Sequence, residues 1–245
     1  MKYLIQARSF GGAVMPAQDF GYSFIEAVEW VNWWVADNSN TAELLMMRTN
    51  GATFGPGEEN ASCVPVGSVE YCLRWYSRMG CGRIKPLNIP ERLWKYVQRE
   101  IFVGTQLPQN GKAYFAKSRD VIKDERNGLY TNAQFDMEMQ FTEYVKDIES
   151  EWRLFVHEGK IVDFRCYSGD EWKLPSRHFC EQVAMEYGKE NPSFSLDVMV
   201  RGTGTTDIVE LHDFFACGLY GFNDYAMLLR MAKATQRYLL EKYRK

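Results

Sequence analysis

Apolar and polar side chains alternate through FSLDVMVRGTGTTDIVELHD, residues 194–213, on both sides of a Gly/Thr turn, and the pattern predicts a β-hairpin. Centred on Thr203 and Gly204, it sets Asp197 opposite Glu210, with Met199, Ile208 and His212 on the same face. Leu196, Val198, Val200, Val209 and Leu211 form the apolar face. A second hairpin, residues 151–156 and 161–167, turns at His157-Glu158-Gly159-Lys160. Further strands are expected at residues 2–6, 44–48, 63–66, 112–117 and 140–145. Helical spacing joins Phe24, Ala27, Val28, Val31, Trp34 and Val35 behind a capping box of Ser23 and Glu26, which assigns the tryptophans to the core. Ser68 caps a helix after the 63–66 strand, Glu91 starts one of about ten residues behind Pro90, and Pro175 opens one carrying Phe179, Val183 and Tyr187. A terminal helix over Asp224–Lys245 presents Met227, Leu228, Met231, Tyr238 and Leu239. Residues 11–21, 50–60 and 104–111 read as loops or linkers.

The alternation of strand and helix predicts a small α/β domain over residues 1–102, with a second domain from residue 103. With 46% hydrophobic and 25% charged residues, the chain has the composition of a soluble globular protein. A formal charge of -3 disfavours electrostatic nucleic-acid binding. MKYLIQARSFGG is too short an apolar run for a signal peptide, and no stretch is long enough to span a bilayer, so a cytoplasmic location is expected. The six cysteines form no CxxC pair and no zinc-finger spacing.

Facing carboxylates at Asp197 and Glu210 repel unless water or a cation lies between them. Two readings follow: a solvated polar sheet face, or an oxygen site for Mg2+. Lys117, at the end of the KAYFAK strand, would contact phosphate oxygens as a point charge, and Arg165 could grip a phosphoryl group with its fork. The loop SRDVIKDERNG carries Arg119, Lys123 and Arg126; it is either a charged surface loop or a fold over a polyphosphate.

In this order, these features resemble the ATP-grasp ligases over roughly residues 103–222, in particular the small clade marked by one arginine and two lysines. The resemblance implies an ATP-grasp fold of two α+β lobes, with a nucleotide cleft between about residues 103–145 and 146–245, preceded by the small α/β domain. Lys117 in YFAK matches the family's strand lysine, and Glu143-Tyr144-Val145 the hinge that holds adenine. In SEWRLFVHEGKIVDFRCYSGD it assigns ribose to Glu151, and phosphate or substrate to Arg153 and Arg165. Asp197 and Glu210 take the metal positions. Where many members carry Asn two residues after the metal-binding Glu, this chain has His212 followed by Asp213; an imidazole is a poor Mg2+ ligand, which favours Asp213. Residue 118 is Ser rather than the usual Pro, and the loop after Lys117 holds one glycine, Gly128. Lys85, Arg99 and Lys112 are candidates for the family's earlier phosphate lysine. The resemblance implies ATP and Mg2+ as cofactors, small-molecule or peptide carboxylate and amine substrates, and amide formation through an acylphosphate. A catalytically silent nucleotide-binding module is the alternative. The VPVGS turn and the PLNIP segment are expected to face substrate.

Overall fold

The structure, a computed structural model, describes residues 1–34, 38–46, 54 and 57–244. Its elements are β1 (Lys2–Phe10), β2 (Ala13–Pro16), α1 (Asp19–Trp34), β3 (Thr41–Met46), β4 (Cys63–Val66), α2 (Val69–Arg78) and a 3-10 turn at Glu91–Tyr96. There follow β5 (Ile101–Gln106), β6 (Tyr114–Ser118), β7 (Gly128–Tyr130), β8 (Gln134–Glu143), β9 (Ile148–His157) and β10 (Lys160–Gly169). The chain ends with α3 (Arg177–Gly188), β11 (Ser193–Arg201), β12 (Thr206–Asp213) and α4 (Tyr225–Tyr243). It divides into two units: Met1–Ile84 with Asn191–Ser193 and Phe214–Lys245, and Lys85–Glu190 with Phe194–Asp213. The first unit ends at Ile84, and the last 32 residues belong with it.

In the first unit β1 is central, pairing parallel with β3 and β4 and antiparallel with β2. Tyr3, Leu4 and Ile5 on β1 are buried with Phe24, Ala27 and Val28 of α1. The last helix closes this core: the Tyr3 hydroxyl donates to the Leu229 carbonyl at 3.2 Å, and the Gln236 amide donates to the Ala61 and Cys63 carbonyls. Ser68 caps α2 as its sequence predicts, accepting from the Tyr71 N–H at 3.2 Å. Two expectations fail here. Helix α1 begins at Asp19, so Ser23 lies inside it. Trp33 and Trp34 are 73% and 63% exposed, because the buried stripe runs through Gly21, Phe24, Ala27, Val28 and Val31 and leaves the tryptophans off it. Val35, the end of the expected 44–48 strand and most of the 50–60 loop lie outside the described residues.

The second unit holds two four-stranded arrays that carry the candidate site. One has the order β5-β8-β6-β7 and packs Leu107, Tyr114, Ala116, Met139 and Phe141 together. The other has the order β10-β9-β11-β12 and buries Leu154, Val156, Leu196, Val198, Ile208 and Leu211 against Cys180, Val183 and Tyr187 of α3. Strand β5 takes the first three residues of the expected 104–111 linker, and the ten-residue helix from Glu91 is a six-residue 3-10 segment. The β9–β10 turn places Glu158 and Gly159 at φ 48 and 73, as a type I′ hairpin requires. The PLNIP segment is a strap between the arrays: the Asn88 carbonyl accepts from the Leu211 N–H at 2.7 Å, its amide donates to the Ser118 carbonyl, and Gln140 bonds both backbone groups of Ile89.

Candidate functional site

The β11–β12 register joins Asp197 to Glu210 as the alternation predicts, then slips. Val198 pairs with Ile208, Met199 with Asp207 and Val200 with Thr206, so Val209 is an extra residue, a β-bulge. The bulge rephases the strand. Ile208 joins Leu211 in the core, correcting its expected place beside the acids, while Asp207 and Glu210 come to one face although they lie three positions apart. Directly paired residues share a face, so the polar side of this array carries Asp197, Asp207 and Glu210.

Each acid meets a cation from a different element. Arg153 of β9 grips Asp197 with its fork, Nε to Oδ1 at 2.8 Å and NH2 to Oδ2 at 2.7 Å, and both residues are buried. Lys117 of β6 contacts the Glu210 carboxylate, which links the two arrays. Arg99, just before β5, sets its NH1 2.7 Å from Oδ2 of Asp207, with 6% and 0% of the two side chains exposed. Arg165 lies directly across from Arg153 and donates to Asp163 at 2.7 and 2.9 Å. Of the three candidates for an earlier phosphate cation, Arg99 alone is drawn into this cluster; Lys85 pairs with Asp120, and Lys112 with Glu100 and Glu143.

Crowding sets the charge states. Burial pushes the Lys117 ammonium down to about 8, with Asp197 opposing the shift and Arg99 adding to it; the touching Glu210 carboxylate also favours the charged form. Burial likewise pushes His212 down to about 4, the nearby acids opposing and Lys117 and Arg153 assisting, so it is neutral at pH 7. Nε2 of His212 lies 2.9 Å from Oε1 of Glu210. Glu151 is raised, by burial first and by the Asp197 charge second, against hydrogen bonds from Ser168 and Tyr167.

Ligand atoms of Asp197, Glu210 and His212 lie within 4.8 Å of one another. Two hard carboxylates suit Mg2+, and a carboxylate offers about four lone-pair sites, so Asp197 keeps acceptor capacity beyond its two bonds to Arg153. Asp213, the third expected ligand, is not in this group. It is buried opposite Phe194 and shares the strand phase of core residue Leu211, while His212 takes the polar phase of Glu210.

At the hinge, the N–H groups of Glu143 and Tyr144 are bonded to the Glu100 and Ala113 carbonyls. Tyr144 is exposed and Val145 buried. The loop after Lys117 is ordered by its own charges. Asn127 accepts from the Ser118 N–H, Arg126 grips Asp124 and reaches Asp136, and Arg119 bridges Glu91 and Glu138. Lys123 is exposed on it at φ 56. The VPVGS turn is filled by its own unit: the Ser68 N–H donates to Gln6 at 2.7 Å, and a Cβ on Gly67 would lie 2.6 Å from that of Gln6.

A family model described as ATP-grasp domain, R2K clade family 2, matches residues 95–229, more than half of the chain. The chain belongs to this ATP-grasp family. Solved structures share the α+β ATP-grasp fold at low identity. D-cycloserine synthetase DcsG aligns at TM-score 0.58 and 10% identity, over 98% of this chain and 100% of that one. A RimK domain ATP-grasp protein from Sphaerobacter thermophilus aligns at 0.52 and 13%, over 98% and 100%. D-alanyl-alanine synthetase A from Vibrio cholerae aligns at 0.51 and 11%, over 96% and 98%. No curated protein matches the sequence. The match begins four residues before Arg99, so the ATP-grasp domain includes the cation that motif reading left among three candidates. Among the described residues, no helix of this ATP-grasp protein is long and apolar enough to cross a membrane.

Proposed function

We propose that this ATP-grasp protein is an ATP-dependent carboxylate–amine ligase, acting in the cytoplasm on a small-molecule or peptide acid and amine. The observation that carries the reading is the gathering of Arg99, Lys117 and Arg153 over Asp197, Asp207 and Glu210 on one sheet face. Carboxylates there suit a divalent cation, and the guanidinium forks and the ammonium suit phosphate oxygens. Adenine would lie at Glu143-Tyr144-Val145, where the N–H groups of the first two are already bonded to the Glu100 and Ala113 carbonyls. Glu151 would take the ribose, Lys117, Lys123 and Arg99 the phosphates, and Arg153 and Arg165 the transferring phosphoryl group and the acid. Asp197 and Glu210 would hold Mg2+, with His212 rather than Asp213 beside them. Bound there, Mg2+ would neutralise charge on the phosphates.

A substrate carboxylate oxygen would attack the γ-phosphorus, breaking its bond to the bridging oxygen and releasing ADP. The amine nitrogen would then attack the acyl carbon of the acylphosphate, phosphate would leave with the C–O electron pair, and the amine would lose a proton. The chain's part is to align reactants and offset charge, which requires no nucleophilic side chain. A second reading, nucleotide binding without turnover, is favoured by one observation: Arg153 engages both oxygens of Asp197.

Calorimetric titration of ATP with and without Mg2+ tests the site. Binding should need Mg2+ and fall at least about tenfold, about 1.4 kcal/mol, in Lys117→Ala and in Asp197→Asn. Wild-type protein that binds no nucleotide sinks both readings. ADP release in a screen of acids with amines separates ligase from silent module.

A further inference from the structure

We propose that Asp207 is a positioning residue of the phosphate cluster: it holds Arg99 on the polar face of β11–β12, where the bulge at Val209 has brought it. The inference rests on the nucleotide reading above and extends it to a residue that no motif marks. In a regular strand, residues 207 and 210 would face opposite sides, and Asp207 would enter the core with Val198 and Val200. The extra residue prevents this and keeps both acids on the site face.

Asp207 then serves two parts of one segment. Its Oδ2 lies 2.7 Å from NH1 of Arg99, and its Oδ1 accepts from the Gln98 N–H at 3.1 Å. The backbone N–H is thus hydrogen-bonded to the acid, while the guanidinium is held by charge, NH1 and Oδ2 making no hydrogen bond. The acid is fully buried, so releasing Arg99 would leave an uncompensated charge away from water. Arg99 is also close enough to Lys117 to disfavour its protonation. Two cations held this near each other repel; separate anchors, Asp207 for Arg99 and Glu210 for Lys117, offset the repulsion before any ligand arrives. Arg99 NH1, paired with Asp207 by charge alone, has no hydrogen-bond partner and keeps its donors for phosphate oxygens. Lys117 and Glu210 are each about one-fifth exposed and can part when a ligand enters, whereas the enclosed Arg99–Asp207 pair stays joined.

The test is a double-mutant cycle on the full chain with two probes, Mg-ATP by calorimetry and adenosine by ligand-detected NMR. Asp207→Asn should weaken ATP at least about tenfold while changing adenosine less than about twofold, and Asp207→Asn with Arg99→Ala should bind ATP no more weakly than Arg99→Ala alone. Additive losses, or equal losses for ATP and adenosine, would show a merely structural pair and overturn the proposal. If Asp207→Asn does not fold, Asp207→Glu decides: it keeps the ion pair but shifts the fork, so ATP should weaken and adenosine should not, and unchanged ATP affinity refutes positioning. Wild-type protein that binds neither probe refutes the underlying nucleotide reading as well; binding of adenosine with no difference among variants refutes only the role of Asp207.

Discussion

Two clusters of arginines and carboxylates lie in the second unit, and their surroundings set them apart. On the β9–β12 face, Arg153–Asp197 and Arg99–Asp207 are enclosed. On the loop after Lys117, Arg119 and Arg126 reach Glu138 and Asp136, whose side chains are 65% and 81% exposed. Residue types are the same and contact distances similar. Water separates them energetically: an exposed pair exchanges one hydrated state for another and contributes about 0–1 kcal/mol. A buried pair bears a desolvation cost that apolar residues of similar volume would avoid, which makes it weak evidence for stability and suggests a functional reason for its presence.

The comparison breaks most sharply at Asp197. Asp197→Ala leaves Arg153 buried without its partner, and a loss of about 3–5 kcal/mol is expected in urea unfolding. A change under about 1 kcal/mol would mean that the face is open to water and the contrast false. A middle case is Asp124, buried within the exposed loop and held by Arg126 well below the ordinary carboxylate value, at about 2. Because its folded pKa is depressed, its contribution is full above the unfolded value of 3.8 and disappears as pH falls through about 2. Asp124→Asn should thus be less stable than wild type at pH 7, with the gap closing across that acid window; a gap independent of pH would place the effect elsewhere. The smallest effect belongs to Arg119→Ala, expected to move the unfolding midpoint by no more than about 1 kcal/mol of stability despite the loss of two ion pairs.

Which parts of this could be read from the sequence follows from the range of the forces involved. The Asp197–Glu210 pairing was legible because strict alternation reports a half-buried hairpin, and the helix cap at Ser68 because it depends on a residue three positions away. The bulge was not legible: Ile208 and Val209 are both apolar, so nothing local says which of them leaves the core. Asp207 therefore went unremarked, and Arg99 remained one of three candidates, since their pairing spans more than 100 residues. The exchange of Asp213 for His212 in the cluster reflects strand phase, while the preference for Asp213 rested on ligand chemistry. Strand β5 was missed because Gly104 and the polar residues around it suit an edge, where half of each side chain meets water. Of the two readings of the basic loop, the sequence favoured no phosphate contact by itself, because the acidic partners on β8 lie outside the loop.

The path of the chain through its two units bears on how it is made. The second unit is almost wholly inserted into the first, whose core is completed by Leu229, Gln236 and their neighbours near the far end of the chain. During synthesis, β1 emerges before residues 85–213 and α4 after them, so the second unit can assemble in the interval. The inserted unit can thus fold before the unit that flanks it is complete, and a product cut short before α4 would leave β1 without the groups that Leu229 and Gln236 supply.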